Sequence, residues 1–205
     1  MDIWPVVHAE RKALAADLTP LDAQRWSTPS LCTDWTVRDV LAHMTATASM
    51  TPASFFGMLA GSGFSFGRVQ AKGIASTLDA SPAQTLARFE AASDSTGRPP
   101  GPLDTILGET LVHAEDIRRP LGLARQYPME ALVETADFFK RSNLLIGTKR
   151  RIAGLTLRAT DTGWSAGTGP EVRGTMLDLL MAMTGRKAAA TTLTGDGADT
   201  LRGRP

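Results

Sequence analysis

The sequence predicts a mainly α fold, a helix bundle followed by a small α/β piece, and three observations carry that reading. Apolar residues recur at helical spacing through the first two-thirds of the 205 residues, between proline and glycine stops. After Arg151 the texture changes to strand-like alternation and turn residues. The composition, 42% hydrophobic and 21% charged, is that of an ordinary globular core.

Each element follows from local chemistry. Val6, Val7, Leu14 and Leu18 define a first helix from Pro5 to Leu18, closed by Thr19-Pro20. Leu21 to Trp26 forms a short turn, and the loop 27–35 follows. Thr36 caps a second helix, with Asp39 at the capping-box position, and the pattern extends it to about Leu59. Gly61, Gly63 and Gly67 then mark a mobile connection. Ser81-Pro82-Ala83-Gln84 is a third start, with a Ser cap, Pro at the first helical position and Gln three after the cap. A fourth helix runs from Leu103 to Arg119 and stops at Pro120. A fifth begins near Met129 and ends close to Gly147. Beyond Arg151, residues 154–159 alternate as a strand, Asp161-Thr162-Gly163 is a turn, and 174–185 is an amphipathic helix. The expected domains are a bundle over 1–150 and a small α/β domain over 151–205. About fifty-five residues build little core alone, so the second piece is expected to dock on the first.

Charge and cysteine content narrow the function. Twenty-two basic residues against twenty-one acidic ones leave a net charge of +1, which provides no general attraction to nucleic acid or anionic membrane. The longest apolar run, Met176 to Met183, is far short of a bilayer span. A single cysteine, Cys32, closes no internal disulfide, and the start MDIWPVVHAERK lacks a signal-peptide pattern, so a reducing, cytoplasmic setting is expected. Only three histidines occur, His8, His43 and His113, which leaves few candidates for metal or acid–base chemistry.

Two of the three fall on inner edges of helices. On the fourth helix Glu109, His113 and Asp116 follow at i, i+4 and i+7, one stripe flanked by Val112, Ile106 and Ile117. Glu115, Gly108 and Arg119 mark the opposite face, expected to be solvated. The stripe is compatible with an ordinary i,i+4 surface pair. It is also the pattern of a metal site, with Glu109 and His113 as ligands and Asp116 orienting an imidazole. On the second helix His43 lies beside Val40 and Met44, with Asp39 one turn earlier to receive its second ring hydrogen. A lone histidine at a core edge often serves only as a hydrogen-bonding residue. Together, His43, Glu109 and His113 form a donor set suited to Zn²⁺ or another divalent first-row ion with an open position. Cys32 reads as a small packed residue, His8 as a helix-edge residue, and Trp26 and Trp35 as anchors of the long loop. Lys140, Arg141, Lys149, Arg150 and Arg151 read as a solvated basic linker.

Three stretches carry a resemblance to a known family. Pro29-Ser30-Leu31-Cys32-Thr33-Asp34-Trp35-Thr36-Val37-Arg38-Asp39-Val40-Leu41-Ala42-His43 resembles a signature of the mycothiol-dependent maleylpyruvate isomerase family, within the DinB-like helix bundles. Glu109 to Gly122 resembles the second signature. Gly154 to Trp164, continuing to Gly195-Asp196-Gly197, is similar to the family's small tail, which is itself similar to sterol-carrier proteins. The resemblance implies a DinB-like four-helix bundle with His43, Glu109 and His113 as the metal ligands. It implies mycothiol as thiol co-substrate and a small electrophile as substrate. Thiolate addition followed by bond rotation and thiolate loss is an isomerisation; release of the adduct is a thiol S-transfer. Arg186, after Gly185, is a candidate for binding a substrate carboxylate, and equally a favourable charge at a helix C-terminus. The alternative is a non-catalytic, metal-containing small-molecule binding module.

Overall fold

Thr36 starts the helix on which the N-terminal part of the fold is organised. Its side chain accepts from the Asp39 backbone N–H, while the Asp39 carboxylate accepts from the Thr36 backbone N–H at 2.8 Å, so both orphan donors of the first turn are satisfied. The computed structural model describes residues 1–143 and 146–204. They divide into two units, Met1–Arg125 and Gln126–Pro205. Sequence texture puts the change near residue 150, but the helix that begins at Met129 falls in the C-terminal unit.

In the N-terminal unit the helices are α1 (Trp4–Leu18), α2 (Val37–Ala48), α3 (Pro52–Ala60), α4 (Phe66–Thr77), α5 (Pro82–Ala91) and α6 (Asp104–Arg118), with a 3-10 turn at Arg25–Ser27. Helix α2 packs on α4, α5 and α6, and α1 packs on α5 and α6, which makes α1, α2, α5 and α6 the bundle. Leu14 and Leu18 of α1, Val40, Leu41 and Met44 of α2, Leu86 and Phe89 of α5, and Ala114 and Ile117 of α6 meet in its core. Burial of each large side chain contributes about 1.5–3 kcal/mol.

Two expectations change here. The helix expected to run from Thr36 to Leu59 ends at Ala48, and α3 restarts after Thr51, which forms its own capping box with Ser54. Pro52 has no N–H to continue a ladder and sits where a first turn needs none. The glycine-rich connection is shorter than expected: Ser65 caps α4 through the Arg68 N–H, and Val69, Gly73, Ile74 and Thr77 of α4 are buried. Gly73 lets α4 approach α2 closely, since a β-carbon there would lie 3.3 Å from the Ala46 Cβ.

The C-terminal unit holds α7 (Met129–Phe139), α8 (Thr148–Arg151), a three-stranded sheet of β1 (Thr156–Ala159), β2 (Ser165–Gly167) and β3 (Glu171–Gly174), then α9 (Met176–Met183), α10 (Lys187–Ala190) and α11 (Ala198–Arg202). The strand order is β2-β1-β3, with β1 antiparallel to β2 and parallel to β3. Leu157 and Val172 are register partners, and both are fully buried. Helix α9 packs on β1, β3 and α7. Helix α7 ends at Phe139 and not near Gly147; Leu144 and Leu145, which the longer helix would include, lie outside the described residues. The mainly α fold with a small C-terminal α/β part is the one the sequence predicts. Among the described residues no helix is long and apolar enough to cross a membrane.

Candidate metal centre

Helix α6 is buried nearly all round. From Ile106 to Arg118 every residue is buried except Glu109 and His113. The face expected to be solvated is not: Gly108 and Glu115 are buried, and Glu115 accepts from the Arg119 Nε at 2.8 Å. A helix wheel cannot foresee this, because α1 and α2 both pack on α6 and shield more than one side. The i,i+4 pair is therefore the one opening along residues 106–118. The ordinary surface-pair reading does not describe it.

His43 of α2 completes the opening. One ligand atom each from His43, Glu109 and His113 lie within 4.8 Å of one another. The two imidazoles meet edge to face with centroids 5.0 Å apart. The Trp35 ring lies 5.1 Å from His43 and 6.5 Å from His113. Read from sequence as a loop anchor, Trp35 also borders both imidazoles.

The polar surroundings differ sharply among the three. His113 Nδ1 is 2.9 Å from the Asp116 Oδ2, and Asp116 has no solvent exposure. A carboxylate only accepts, so Nδ1 carries the shared hydrogen and Nε2 is the nitrogen a cation would take in place of its proton. Burial pushes the His43 imidazole down to about 3; the neighbouring His113 adds to the fall and Asp116 opposes it. Burial acts on His113 in the same direction, but hydrogen bonds and charge from Asp116 and Cys32 outweigh it and lift the ring to about 10. Burial also raises Glu109, against the pull of His113, Arg11, Thr110 and Thr47. The Glu109 Oε1 is buried with no hydrogen-bond partner.

These features fit a divalent cation. An unpartnered buried carboxylate oxygen, an imidazole held neutral and a second imidazole oriented through its far nitrogen are a nitrogen-nitrogen-oxygen donor set. Cys32, His113 and Asp116 form a second set of close donors, and the two sets share His113.

Other expected residues fall elsewhere. Asp39 spends its carboxylate on the α2 cap, where Oδ2 accepts from Thr36 N at 2.8 Å and from Thr36 Oγ1 at 2.6 Å. Arg186 flanks the start of α10 in the C-terminal unit and donates to the Thr184 carbonyl at 3.1 Å. His8 stacks on Trp4 at 5.6 Å and lies 3.9 Å from Asp94. Two contributors were missed in the sequence, where Cys32 reads as a small packed residue and Arg11 is not considered. Cys32 donates to Asp116 at 3.0 Å, and Arg11 of α1 is 1% exposed within electrostatic reach of Glu109. No sequence pattern announces either, because the partners lie 84 and 98 positions away in the chain.

Fold and site define a helix-bundle protein with a partly open His₂-carboxylate cluster. Residues 7–99 match the family described as the Mycothiol maleylpyruvate isomerase N-terminal domain. That is the family whose signatures the sequence motifs resemble. The matched region contains His43, whereas Glu109 and His113 follow it. No curated protein matches the chain. A crystal structure of the mycothiol-dependent maleylpyruvate isomerase is 18% identical, with a TM-score of 0.61 over 95% of this chain and 92% of that one. A crystal structure of a histidine-to-alanine mutant of that enzyme gives 17% identity and a TM-score of 0.60 over the same shares. These likenesses bear out the fold along nearly the whole chain.

Proposed function

We propose that the protein is a metal-dependent, mycothiol-dependent enzyme that adds a thiolate to a small electrophile, as a thiol S-transferase or a maleylpyruvate-type cis–trans isomerase. The observation that carries this is the opening in α6: Glu109 and His113 alone escape burial between residues 106 and 118, and they converge with His43. The match of residues 7–99 to the Mycothiol maleylpyruvate isomerase N-terminal domain supports mycothiol as the thiol.

His43, Glu109 and His113 are the proposed ligands, and zinc is the proposed metal, since two imidazoles and one carboxylate suit it with a position left open. When bound, such a cation lowers a thiol's pKa and supplies thiolate at neutral pH. His43 presents a lone pair because its buried ring stays unprotonated. Asp116 fixes the His113 ring through Nδ1. Trp35 packs beside the two imidazoles on one side. In the C-terminal unit, Arg186 is proposed to bind a substrate carboxylate. Arg151 and Arg186 are close enough that their charges disfavour one another, and an anion relieves that repulsion.

Metal content per chain in wild type, His43→Ala and Glu109→Ala tests the ligands. Stoichiometric zinc in wild type and loss in both variants is expected; retention in both overturns the assignment. A panel of small electrophiles incubated with zinc-loaded protein and mycothiol tests the reaction. Thiol-dependent consumption of one of them is expected. Full metal loading without any turnover would leave a non-catalytic binding module.

A further inference from the structure

We propose that Cys32 is a positioning residue for His113, acting through Asp116. The Cys32 thiol donates to the Asp116 Oδ2 at 3.0 Å, the same oxygen that the His113 Nδ1 meets at 2.9 Å. Sulfur and ring nitrogen are 3.6 Å apart, so one buried oxygen gathers both donors.

The loop is built to deliver the thiol to this place. Ser30 Oγ accepts from the Cys32 backbone N–H at 3.1 Å and donates to the Trp35 carbonyl at 2.8 Å. Trp35 N donates back to the Cys32 carbonyl at 3.2 Å, and Leu31 N donates to the carbonyl of Asp116 itself at 3.1 Å. The loop is thus tied to the residue whose side chain its cysteine contacts. Its ends are joined by a bridge between Pro29 and Thr36, next to the α2 cap.

Asp116 is fully buried, so water does not readily replace a lost donor. Without the thiol, Oδ2 loses one of these two donors and the carboxylate gains freedom to turn. The imidazole it orients turns with it. Serine keeps a donor at this position, whereas alanine and valine remove it. The consequence for metal binding rests on the proposed ligand set; the consequence for the imidazole does not.

The test uses ¹⁵N-labelled, metal-free full-length protein, with water exchange of the His113 Nδ1–H measured by NMR, and Asp116→Asn as the control that loses the acceptor. Cys32→Ser should exchange within about twofold of wild type, and Cys32→Ala about tenfold faster. By chelator competition, zinc should bind about tenfold more weakly to Cys32→Ala and within about threefold of wild type to Cys32→Ser. If Cys32→Ala does not fold, Cys32→Val, which fills the space without a donor, takes its place. Wild-type exchange in the donor-less variant, or equally fast exchange in Cys32→Ser, overturns the positioning role. The expected exchange pattern with no zinc bound by any variant would keep that role and sink the metal reading instead.

Discussion

Arg11 and Glu109 face one another electrostatically across the packed helices α1 and α6, and both keep buried polar atoms without a hydrogen-bond partner. Arg11 Nη1 donates to the Ser95 carbonyl at 2.9 Å, but Nε and Nη2 have no partner. A guanidinium 1% exposed is costly to bury, and a nearby carboxylate is what offsets that cost. Arg11→Met should therefore destabilise the metal-free protein by about 3 kcal/mol. Glu109→Gln in the same chain should recover part of the loss, with a coupling of about 1 kcal/mol in a double-mutant cycle measured by urea denaturation. Strictly additive effects would mean the two charges do not sense each other.

Metal affinity should rise with pH. In the metal-free protein His113 holds its proton up to about pH 10, while His43, at about 3, holds none at neutrality. With Nδ1–H given to Asp116, the extra proton occupies Nε2, so a cation has to displace it. Zinc affinity should then increase by about tenfold per pH unit between about pH 6 and 8. Chelator competition at several pH values measures the slope; a flat profile would refute the displacement.

The same shifts set the pH stability of the metal-free protein. The raised His113 contributes stability that is complete below its unfolded value of 6.5 and lost as pH rises through about 10. The depressed His43 acts oppositely: the unfolded chain takes up its proton below 6.5 and the folded chain does not until about 3. Stability should thus fall as pH drops from about 6.5 towards 3, and His43→Gln should flatten that part of the profile. Urea midpoints across the range check both limbs.

Asp39 separates a cap from a ligand support. Its carboxylate closes the capping box with Thr36, so Asp39→Ala should cost about 1 kcal/mol of stability. Zinc affinity should stay within about twofold of wild type. A loss of tenfold or more would return Asp39 to the role of orienting His43.

The elements legible in the sequence are those specified by short-range chemistry. Thr36 with Asp39 and Ser81 with Gln84 announce helix starts within four residues, and the structure has both boxes. The His43, Glu109 and His113 cluster was legible because the two α6 members share a helical stripe and His43 lies beside Val40 and Met44 on the inner edge of α2. The break at Pro52 was hidden by an apolar run, Phe55 to Leu59, that continues the helical pattern on a helix with no buried residue. The buried far face of α6 was hidden because Glu115 and Arg119 look like a surface pair, whereas Glu115 is buried and accepts from the half-buried Arg119. Cys32 and Arg11 depend on tertiary contacts between distant segments, which composition and periodicity do not encode.

Gly97 supplies a last test, of the support beneath Arg11. The loop 95–97 lies against the end of α2: Ser95 Oγ donates to the Ala48 carbonyl at 2.6 Å and accepts from Gly97 N at 3.0 Å. A β-carbon on Gly97 would sit 2.3 Å from the Ala48 oxygen and 3.0 Å from that of Met50, both backbone atoms. The loop has to move away, and it carries the Ser95 carbonyl that holds Arg11. Gly97→Ala should therefore cost about 3 kcal/mol, whereas the same change at an open loop position of compatible backbone stabilises slightly. Because the displaced carbonyl releases the guanidinium facing Glu109, the variant should also bind zinc more weakly than wild type. A stable Gly97→Ala protein with unchanged zinc affinity would show that the loop neither packs on α2 nor braces Arg11.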